Sequence, residues 1–322
     1  MTKAPLPVGR TMRAAHARNK EVGGGEGAVK AGELVAAAFA DGASPSAAAR
    51  KTFVLMLARA AGSAWEDRWH SVTKAELQQA HQTTARVQDV LDELARTLLR
   101  VRVVGDDGDD ILTGAVVSDH KIAVADDAKA RVKWRFSEAM REVMRRSDHY
   151  AELRTQVIAA LESRYSVTLY EVGCSYYRRH YSVWSGTVDE FRAMMGVPKS
   201  YRDWTDIRRR TLAFAKAELD HLAPFVISWK EVRRGRMVER VEIAFTAKDT
   251  NARAEAEAEL RRSRVGRRVR REGMADHVVG DPGLRAALDA LQAGGERLVD
   301  ADQHHLGDDE DQSEGLEQPR RR

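Results

Sequence analysis

The spacing of apolar residues first predicts three helices. A helix-start sequence, Ser-Pro-Ser at 44–46, precedes apolar residues that recur every three or four positions. Thr73 and Glu76 have the capping-box pattern that begins a second, short helix. Thr83 or Thr84 is expected to cap a third helix, whose apolar stripe consists of Val87, Leu91, Leu94 and Leu98.

Two strands are predicted to follow these helices. The segments LRVRVV at 99–104 and ILTGAVV at 111–117 are apolar, and the sequence between them, GDDGDD, is typical of a turn. Three helices followed by a hairpin are the element order of a winged helix, a variant of the helix-turn-helix. We therefore expect a first winged-helix domain over residues 44–135.

The same order of elements recurs in the second half of the chain. A long helix with the sequence RYSVTLYEVGCSYY comes first, and a short helix is predicted at 189–195, followed by a turn at 196–199. Thr187 precedes this short helix as Thr73 precedes its counterpart, 114 residues earlier. Internal repetition at this spacing predicts two copies of one structural unit.

The second copy continues with a long helix and a hairpin. Ser200 is expected to cap the helix, which ends near Leu222, and the strands PFVISWKEV and MVERVEIAF follow. We expect a second winged-helix domain over residues 161–248. The predicted fold is mainly α with small β-hairpins (α+β), built from two tandem winged-helix domains.

The remaining segments are predicted to be an arm, a linker and a tail. Residues 1–43 are rich in Ala and Gly and are expected to form a flexible N-terminal arm, and residues 136–160 are expected to form linker helices. The cluster GGGEG at 23–27 lacks the Lys-Ser or Lys-Thr of a phosphate loop. Residues 249–322 are expected to form a charged helix, from Asn251 to Glu272, and a disordered acidic tail.

Composition narrows the function classes. The net charge is only +4, but residues 131–248 carry 23 basic and 15 acidic side chains, whereas residues 1–130 carry 17 of each. Positive charge in the second domain favours an anionic polymer as the partner. We find no apolar run long enough to span a membrane, and the single cysteine fits a reducing cytoplasm. No cofactor is expected.

The long helix after Ser200 is the predicted DNA reader. Trp204, Ile207, Thr211, Ala215 and Leu219 share one apolar face, with Leu212 and Phe214 beside it, and the opposite face is basic. In the major groove, Arg can pair with guanine and Thr can touch a thymine methyl group. The residues expected to contact DNA from this helix and the turn before it are Lys199, Tyr201, Arg202, Thr205, Arg208, Arg209, Arg210 and Lys216.

Further arginines are predicted to reach the DNA backbone. Arg233, Arg234 and Arg236 lie at the tip of the second hairpin, as in a basic wing, and Arg178 and Arg179 end the long first helix. The third helix of the first copy instead carries Asp89, Asp92 and Glu93 on its outer face. We expect the first domain to contribute less DNA affinity and to serve partly in self-association.

A cluster of tyrosines raises the alternative of a DNA-cutting enzyme. Five of the seven tyrosines lie within 164–181, together with Cys174, Arg178, Arg179 and His180. Rolling-circle nucleases hold a metal with two histidines at i and i+2, and tyrosine recombinases need His-x-x-Arg; the ten histidines fit neither pattern. The tyrosines are better explained as a packing stripe on a helix, with Cys174 buried among them and no catalytic or metal-binding residue.

The second domain resembles the plasmid replication initiators of the RepB/RepE type. The matching features are a serine- and tyrosine-rich helix with Leu-Tyr-Glu at 169–171, then Phe191-Arg192, Gly196 and Tyr201, a long helix, and Gly235-Arg236 in a hairpin. WRFSEAMREVMRRSDHYAELR also resembles the family's linker between domains. The resemblance covers roughly residues 45–248 and is thinner in the first domain, whose acidic third helix departs from the pattern.

The resemblance implies a sequence-specific, non-enzymatic DNA-binding protein. Such initiators bind direct repeats (iterons) at a plasmid origin as monomers, and an inverted repeat at their own promoter as dimers. The implied partners are double-stranded DNA, the host replication initiator, the replicative helicase and a second copy of the chain. A winged-helix transcriptional regulator shares the fold and the DNA chemistry and stays open as the alternative.

Overall fold

The computed structural model describes residues 10–23, 27–39, 44–81, 86–105, 108–124 and 129–271. The described residues up to Arg264 belong to one compact unit, and those from Val265 onward belong to a second. No helix in these ranges is long and apolar enough to cross a membrane.

The first part of the chain alternates short helices and strands. Its helices are α1 (Arg10–Gly23), α2 (Gly32–Val35), α3 (Ala47–Ala60), α4 (Lys74–His81), α5 (Val87–Arg96), α6 (Glu138–Arg146) and α7 (Thr155–Ala160). Its strands are β1 (Gly27–Ala31), β2 (Ala38–Phe39), β3 (His70–Thr73), β4 (Leu98–Gly105), β5 (Gly108–Ala115), β6 (Val117–Ile122), β7 (Arg131–Phe136) and β8 (Tyr150–Arg154). They form three small antiparallel sheets, with strand orders β1-β8, β2-β4-β5 and β3-β7-β6.

The second part repeats the winged-helix order. It contains α8 (Arg164–Tyr176), β9 (Val183–Thr187), α9 (Val188–Met195), α10 (Trp204–Ile207), a π-helical turn (Arg208–Leu212), α11 (Ala213–Leu222), β10 (Phe225–Arg234), β11 (Met237–Ala247) and α12 (Thr250–Arg261). Strand β11 lies between β10 and β9 in an antiparallel sheet. The fold is therefore an α+β arrangement of two tandem winged helices, which confirms the predicted fold class.

The local signals of the first winged helix are confirmed. Ser46 caps α3, because its hydroxyl accepts a hydrogen bond from the Ala49 amide. Thr73 and Glu76 form the expected reciprocal hydrogen bonds at the start of α4. Strands β4 and β5 pair as the predicted hairpin. The alternative caps at 83 and 84 lie outside the described residues, and Leu98, assigned to the third helix, instead begins β4 and is 39% exposed.

The prediction of a flexible N-terminal arm is wrong for residues 10–23 and 27–39. All five residues of β1 are buried, and β1 pairs antiparallel with β8, more than 100 residues away. The small side chains that suggested flexibility instead allow close packing. Gly32, for example, lies against the His149 ring, where a Cβ would come within 1.9 Å of a ring atom. Residues 1–9, 24–26 and 40–43 of the predicted arm lie outside the described residues.

The predicted linker is not purely helical. Residues 136–160 contain α6 and α7, but β8 lies between them and completes the sheet with β1. The alternation of Ala151 and Leu153, both buried, with more exposed neighbours gives β8 a strand pattern. This pattern is too short to be distinguished from a helix by periodicity alone. The segment is part of the packed body of the protein.

Helix α8 joins the two parts of the compact unit through buried charges. The Glu171 carboxylate lies 2.9 Å from the Lys30 ammonium and 3.9 Å from the Arg50 guanidinium. The three side chains are 2%, 5% and 8% exposed, respectively. Burial lowers the pKa of Lys30, and the nearby carboxylate opposes this shift. We call Lys30, Arg50 and Glu171 the buried ion cluster. Glu171 is the Glu of Leu-Tyr-Glu, and its structural role is to pair with these two cations.

The charged segment after β11 is two helices rather than one. Helix α12 ends at Arg261, and a separate helix, α13 (Arg267–Arg271), follows Gly266, whose φ is +76°. Arg262, the C-cap of α12, has extended backbone with ψ 158°, which ends the right-handed helix, so the charge pattern alone overestimated its length. The predicted disordered tail lies outside the described residues.

Candidate nucleic-acid interface

The helix-turn-helix of the second domain is held together by short-range hydrogen bonds. Thr187 and Glu190 form a capping box at the start of α9, and Gly196 ends this helix in the left-handed region with φ +59°. The Arg192 guanidinium donates to the backbone carbonyls of Pro198 and Tyr201, at 3.2 and 2.9 Å. These bonds fix the turn that leads into the predicted DNA-reading helix.

The second helix of this motif begins later than the sequence predicts. Asp203, not Ser200, is the N-cap, since its carboxylate accepts a hydrogen bond of 2.8 Å from the Asp206 amide. The bonds from Arg192 hold the backbone before Asp203 in the turn, so Ser200 lies outside the helix. We call residues 204–222 the recognition helix; it consists of α10, the π-helical turn and α11.

The apolar face of the recognition helix packs as predicted. The residues expected on it, namely Trp204, Ile207, Thr211, Ala215 and Leu219, are all buried. Leu212 beside them is buried and Phe214 is 39% exposed. Because this face is fixed against α8, α9 and the hairpin, the opposite face is held toward solvent.

The π-helical turn places three arginines in the middle of the recognition helix. Arg209 is 72% exposed and Arg210 is 51% exposed, and both donate to the Asp206 carboxylate, at 3.2 and 2.7 Å. The Arg210 guanidinium also stacks over the Tyr201 ring at 5.0 Å. π-helical turns often occur at functional sites, since they change the direction in which side chains leave the helix. The exposed face of the recognition helix is therefore basic, and the contacts with Asp206 and Tyr201 hold its arginine side chains in place.

Other predicted contact residues lie around the start of this helix. Lys199, Arg202 and Thr205 are exposed, and Tyr201 is half-buried. These residues come from the turn and the first turn of helix, where backbone amides also point outward. Together with Arg209 and Arg210 they are the solvent-accessible polar and basic side chains of residues 199–210 that were predicted to contact DNA.

The hairpin β10–β11 has the predicted basic tip. The pairing register shifts between Val232 and Arg233, which indicates a β-bulge directly before the arginines. Arg234 is 83% exposed and lies 3.8 Å from Glu239, and Arg236 is exposed in the turn. The bulge redirects the strand at the point where its basic side chains begin.

One residue of this interface was missed by the sequence reasoning. Glu231 lies on the inner face of β10 and is only 12% exposed. Its carboxylate accepts hydrogen bonds from the Trp204 indole, at 2.7 Å, and from Arg208 and Arg233, at 2.9 and 2.6 Å. Strand alternation places Glu231 on the same face as Ile227 and therefore could have indicated a buried carboxylate.

Lys216 does not lie among the exposed arginines. Its ammonium donates to the backbone carbonyl of Ile227 and pairs with the Asp220 carboxylate, so it connects α11 to β10. The predicted outer face was drawn for an ideal helix, and the π-helical turn before Lys216 changes the rotation of everything that follows. We therefore assign Lys216 a structural role.

Arg178 and Arg179 lie away from the arginine-rich hairpin tip. They lie in the turn just after α8, and Tyr177 beside them packs on Phe225, the first residue of β10. Nine residues separate Phe225 from Arg234, which corresponds to about 30 Å along a strand. Arg178 pairs with Glu152 at 2.8 Å. The structure therefore does not bring these two arginines together with the wing tip.

The third helix of the first winged helix, α5, is less acidic on its surface than the sequence predicts. Glu93 turns inward and accepts hydrogen bonds from the amide and the hydroxyl of Ser46, at 2.6 and 2.7 Å. Asp92 accepts from Gln88 and lies 3.1 Å from His120. Asp89, the third predicted acidic side chain, is exposed. The reduced DNA affinity of this domain stays a prediction.

The tyrosine cluster of α8 is a packing surface. Tyr170 and Tyr177 both contact the Phe225 ring, and Tyr176 contacts Phe245, with ring centroids 5.2 to 6.0 Å apart. Burial raises the pKa of both Tyr170 and Tyr177, which disfavours a phenolate nucleophile. Within the described ranges, no group of three or more His, Cys, Asp or Glu residues could hold a metal ion.

Cys174 is expected to be inert in the folded protein. Its thiol is buried, and burial raises its pKa to about 12. Because the thiolate is the reactive form, labelling at pH 8 should be more than about a thousandfold slower than for a free thiol. Absorbance with an aromatic disulfide reagent would measure this, with the urea-unfolded protein as the control. Rapid labelling of the native protein would contradict the assigned packing.

The fold and this interface define a DNA-binding protein with two winged helices. The family model described as "Initiator Replication protein, WH1" matches residues 28–174, and the one described as "Initiator Rep protein, WH2" matches residues 187–245. The chain belongs to this family of replication initiators. The first match begins in the segment predicted to be an arm and extends through α8.

A solved structure has a similar fold. It is titled "Crystal structure of Pi initiator protein in complex with iteron DNA", and its TM-score to this chain is 0.53 at 16% sequence identity. The similarity covers 71% of this chain and 100% of that chain. The search of curated proteins gave no match.

Proposed function

We propose that this protein initiates plasmid replication by binding direct repeats at the origin, with the second winged helix as the main reader. The observation that carries this proposal is the basic, exposed face of the recognition helix beside a basic wing, in a chain of the initiator family. The structurally similar Pi initiator is described in complex with iteron DNA, which supports the same class of target.

The recognition helix suits the major groove. Its apolar face is buried, and its exposed side offers Arg202, Thr205, Arg209 and Arg210 to base edges and phosphates. A guanidinium can make two hydrogen bonds to guanine, and this bidentate contact specifies a base. Lys199 and Tyr201, in the turn, are placed to contact the DNA backbone.

The wing supplies contacts that do not depend on the base sequence. Arg234 and Arg236 lie at the exposed tip of the hairpin, beyond the β-bulge. Contacts of exposed arginines with phosphates position a protein on DNA without reading bases. We propose that the helix specifies the repeat and the wing anchors the protein to the adjacent backbone.

The proposed function includes further steps after DNA binding, which take place in the cytoplasm. We propose that binding to repeats opens the origin and recruits the host replication initiator and the replicative helicase. A dimer in equilibrium with the monomer would repress the protein's own promoter. No step of this proposal needs a cofactor or a nucleophile of this chain.

Replacing Arg209 with alanine tests the base-reading part of this function. We expect a loss of about 1 to 3 kcal/mol in binding free energy, or about 5- to 150-fold in affinity, together with relaxed preference at one base pair. Fluorescence anisotropy with direct repeats from the DNA flanking the gene, and with single-base variants of them, would measure both effects.

Arg253→Ala is the matched control for Arg209→Ala. Arg253 is an exposed arginine on α12, outside the proposed interface, and its loss removes the same charge. Equal effects of the two variants would remove Arg209 from the interface. A wild-type protein that binds the flanking repeats no better than unrelated DNA would contradict the proposed function itself.

A further inference from the structure

Glu231 is an acidic residue at the centre of a basic interface. It lies near the outer end of β10 and receives three hydrogen bonds, from Trp204 and Arg208 of the recognition helix and from Arg233 of the wing. The carboxylate thus joins the two elements that the proposed function brings to DNA. No other described residue forms hydrogen bonds with both Trp204 and Arg233.

The bonds to Glu231 occupy two of the arginines expected to contact DNA. The Arg208 and Arg233 side chains are 40% and 56% exposed, so DNA could reach them if they were released. Each donates to the carboxylate through one terminal nitrogen, and these charge-assisted bonds are among the stronger ones in proteins. In the free protein both side chains are bound to the Glu231 carboxylate.

The Glu231 carboxyl is ionised wherever the protein is expected to bind DNA. Partial burial would raise its pKa, but the hydrogen bonds from Trp204, Arg233 and Arg208 outweigh this effect and hold the pKa below its usual value. The negative charge reduces the net positive charge that the corner between helix and wing presents to phosphates.

We propose that Glu231 is a specificity-determining residue, which fixes the wing against the recognition helix and withholds Arg208 and Arg233 from the backbone of unrelated DNA. This inference rests on the proposed function. Binding to unrelated DNA depends on how many phosphates the protein neutralises. Two arginines released from Glu231 would therefore strengthen binding to unrelated duplex DNA.

The effect on the correct repeat is different. There, base contacts already require a defined angle between the recognition helix and the backbone contacts of the wing. Loss of the carboxylate removes the hydrogen bonds that fix this angle. The resulting loss of affinity for the repeat offsets the affinity gained from two additional phosphate contacts. The preference for the repeat over unrelated DNA therefore decreases, although the affinity for unrelated DNA increases.

Glu231→Gln separates this role from a merely structural one. Glutamine keeps the size of the side chain and an acceptor for the Trp204 indole, but it loses the charge that holds the two arginines. We expect affinity for unrelated duplex DNA to rise about tenfold, and its dependence on salt to become steeper by about one to two in log–log slope. Affinity for the repeat should stay the same or fall, so the specificity ratio falls about tenfold.

Glu242→Gln is the matched control for the charge change. Glu242 lies on β11 opposite Lys230, in the same hairpin, whereas the hydrogen bonds from Trp204, Arg208 and Arg233 go to Glu231. This variant should change binding to both duplexes by the same small factor and leave the specificity ratio unchanged. Melting temperatures of all three proteins would show that each is folded.

The outcomes distinguish this inference from the proposed function. If Glu231→Gln weakens binding to the repeat and to unrelated DNA equally, Glu231 has a structural role only and the inference is overturned. An equal fall of the specificity ratio in Glu242→Gln would also overturn it. If the wild-type protein does not prefer the repeat, the proposed function fails. The salt slope on unrelated DNA would still test whether Glu231 withholds the two arginines.

Discussion

Replacing Glu171 with alanine is expected to lower the free energy of unfolding by about 3 to 5 kcal/mol, because it leaves two buried cations without their anion. Lys30 and Arg50 are 5% and 8% exposed and lie 2.9 and 3.9 Å from the carboxylate. Both cations lie at the contact between α8 and the first winged helix, in a cavity too small to hydrate them fully. Urea unfolding of the DNA-free protein would measure the change.

An exposed ion pair supplies the control for this variant. Arg154 and Glu257 lie 2.9 Å apart, but both side chains are 44% exposed. Glu257→Ala should change the free energy of unfolding by no more than about 0.5 kcal/mol, since water already screens this pair. A Glu171→Ala protein as stable as Glu257→Ala would mean that the buried ion cluster does not hold α8 in place.

Removing Arg234 and Arg236 together is expected to weaken binding to every duplex by about 10- to 100-fold, with no change in base preference. Both residues lie at the exposed tip of the wing, so their loss removes two backbone contacts. The log–log salt slope should become shallower by about two, since each arginine neutralises one phosphate. Anisotropy titrations of the repeat and of unrelated DNA at several salt concentrations would measure both quantities.

Arg178 and Arg179 provide a matched pair for the wing variant. Their double replacement with alanine removes the same charge from the end of α8, about 30 Å along the strand from the wing tip. We expect a clearly smaller loss of affinity. Equal losses would extend the interface to α8, and a loss confined to one base pair in Arg234→Ala/Arg236→Ala would contradict its assignment as a backbone anchor.

The parts of the interface that were predicted from the sequence are local. The apolar spacing of the recognition helix identified its buried face from Trp204 to Leu219, and all five predicted residues are buried. The arginines at 209, 210, 234 and 236 are exposed for the same reason, since the opposite face of a helix and the tip of a hairpin are solvated. These features depend on neighbours within a few residues.

The errors in the interface come from contacts between distant segments. Lys216 was assigned to DNA because an ideal helix has a regular rotation, but the π-helical turn shifted it onto β10. Glu93 is predicted to be a surface charge, but its carboxylate accepts two hydrogen bonds from Ser46, which lies 47 residues earlier. Ser200 lost its role as the cap because Arg192 holds the turn.

The sequence by itself determined the main helices and the hairpin of each winged helix, the capping boxes at Thr73 and Thr187, and the two basic segments, because each depends on short-range periodicity and local hydrogen bonds. Only the tertiary structure showed that β1 pairs with β8 and that Glu171 meets Lys30, contacts that join segments more than 100 residues apart. It also decided that Glu231 binds two arginines that the sequence assigned to DNA. The strength of an ion pair depends on the distance between the two charges in space, and the number of residues between them along the chain does not determine this distance.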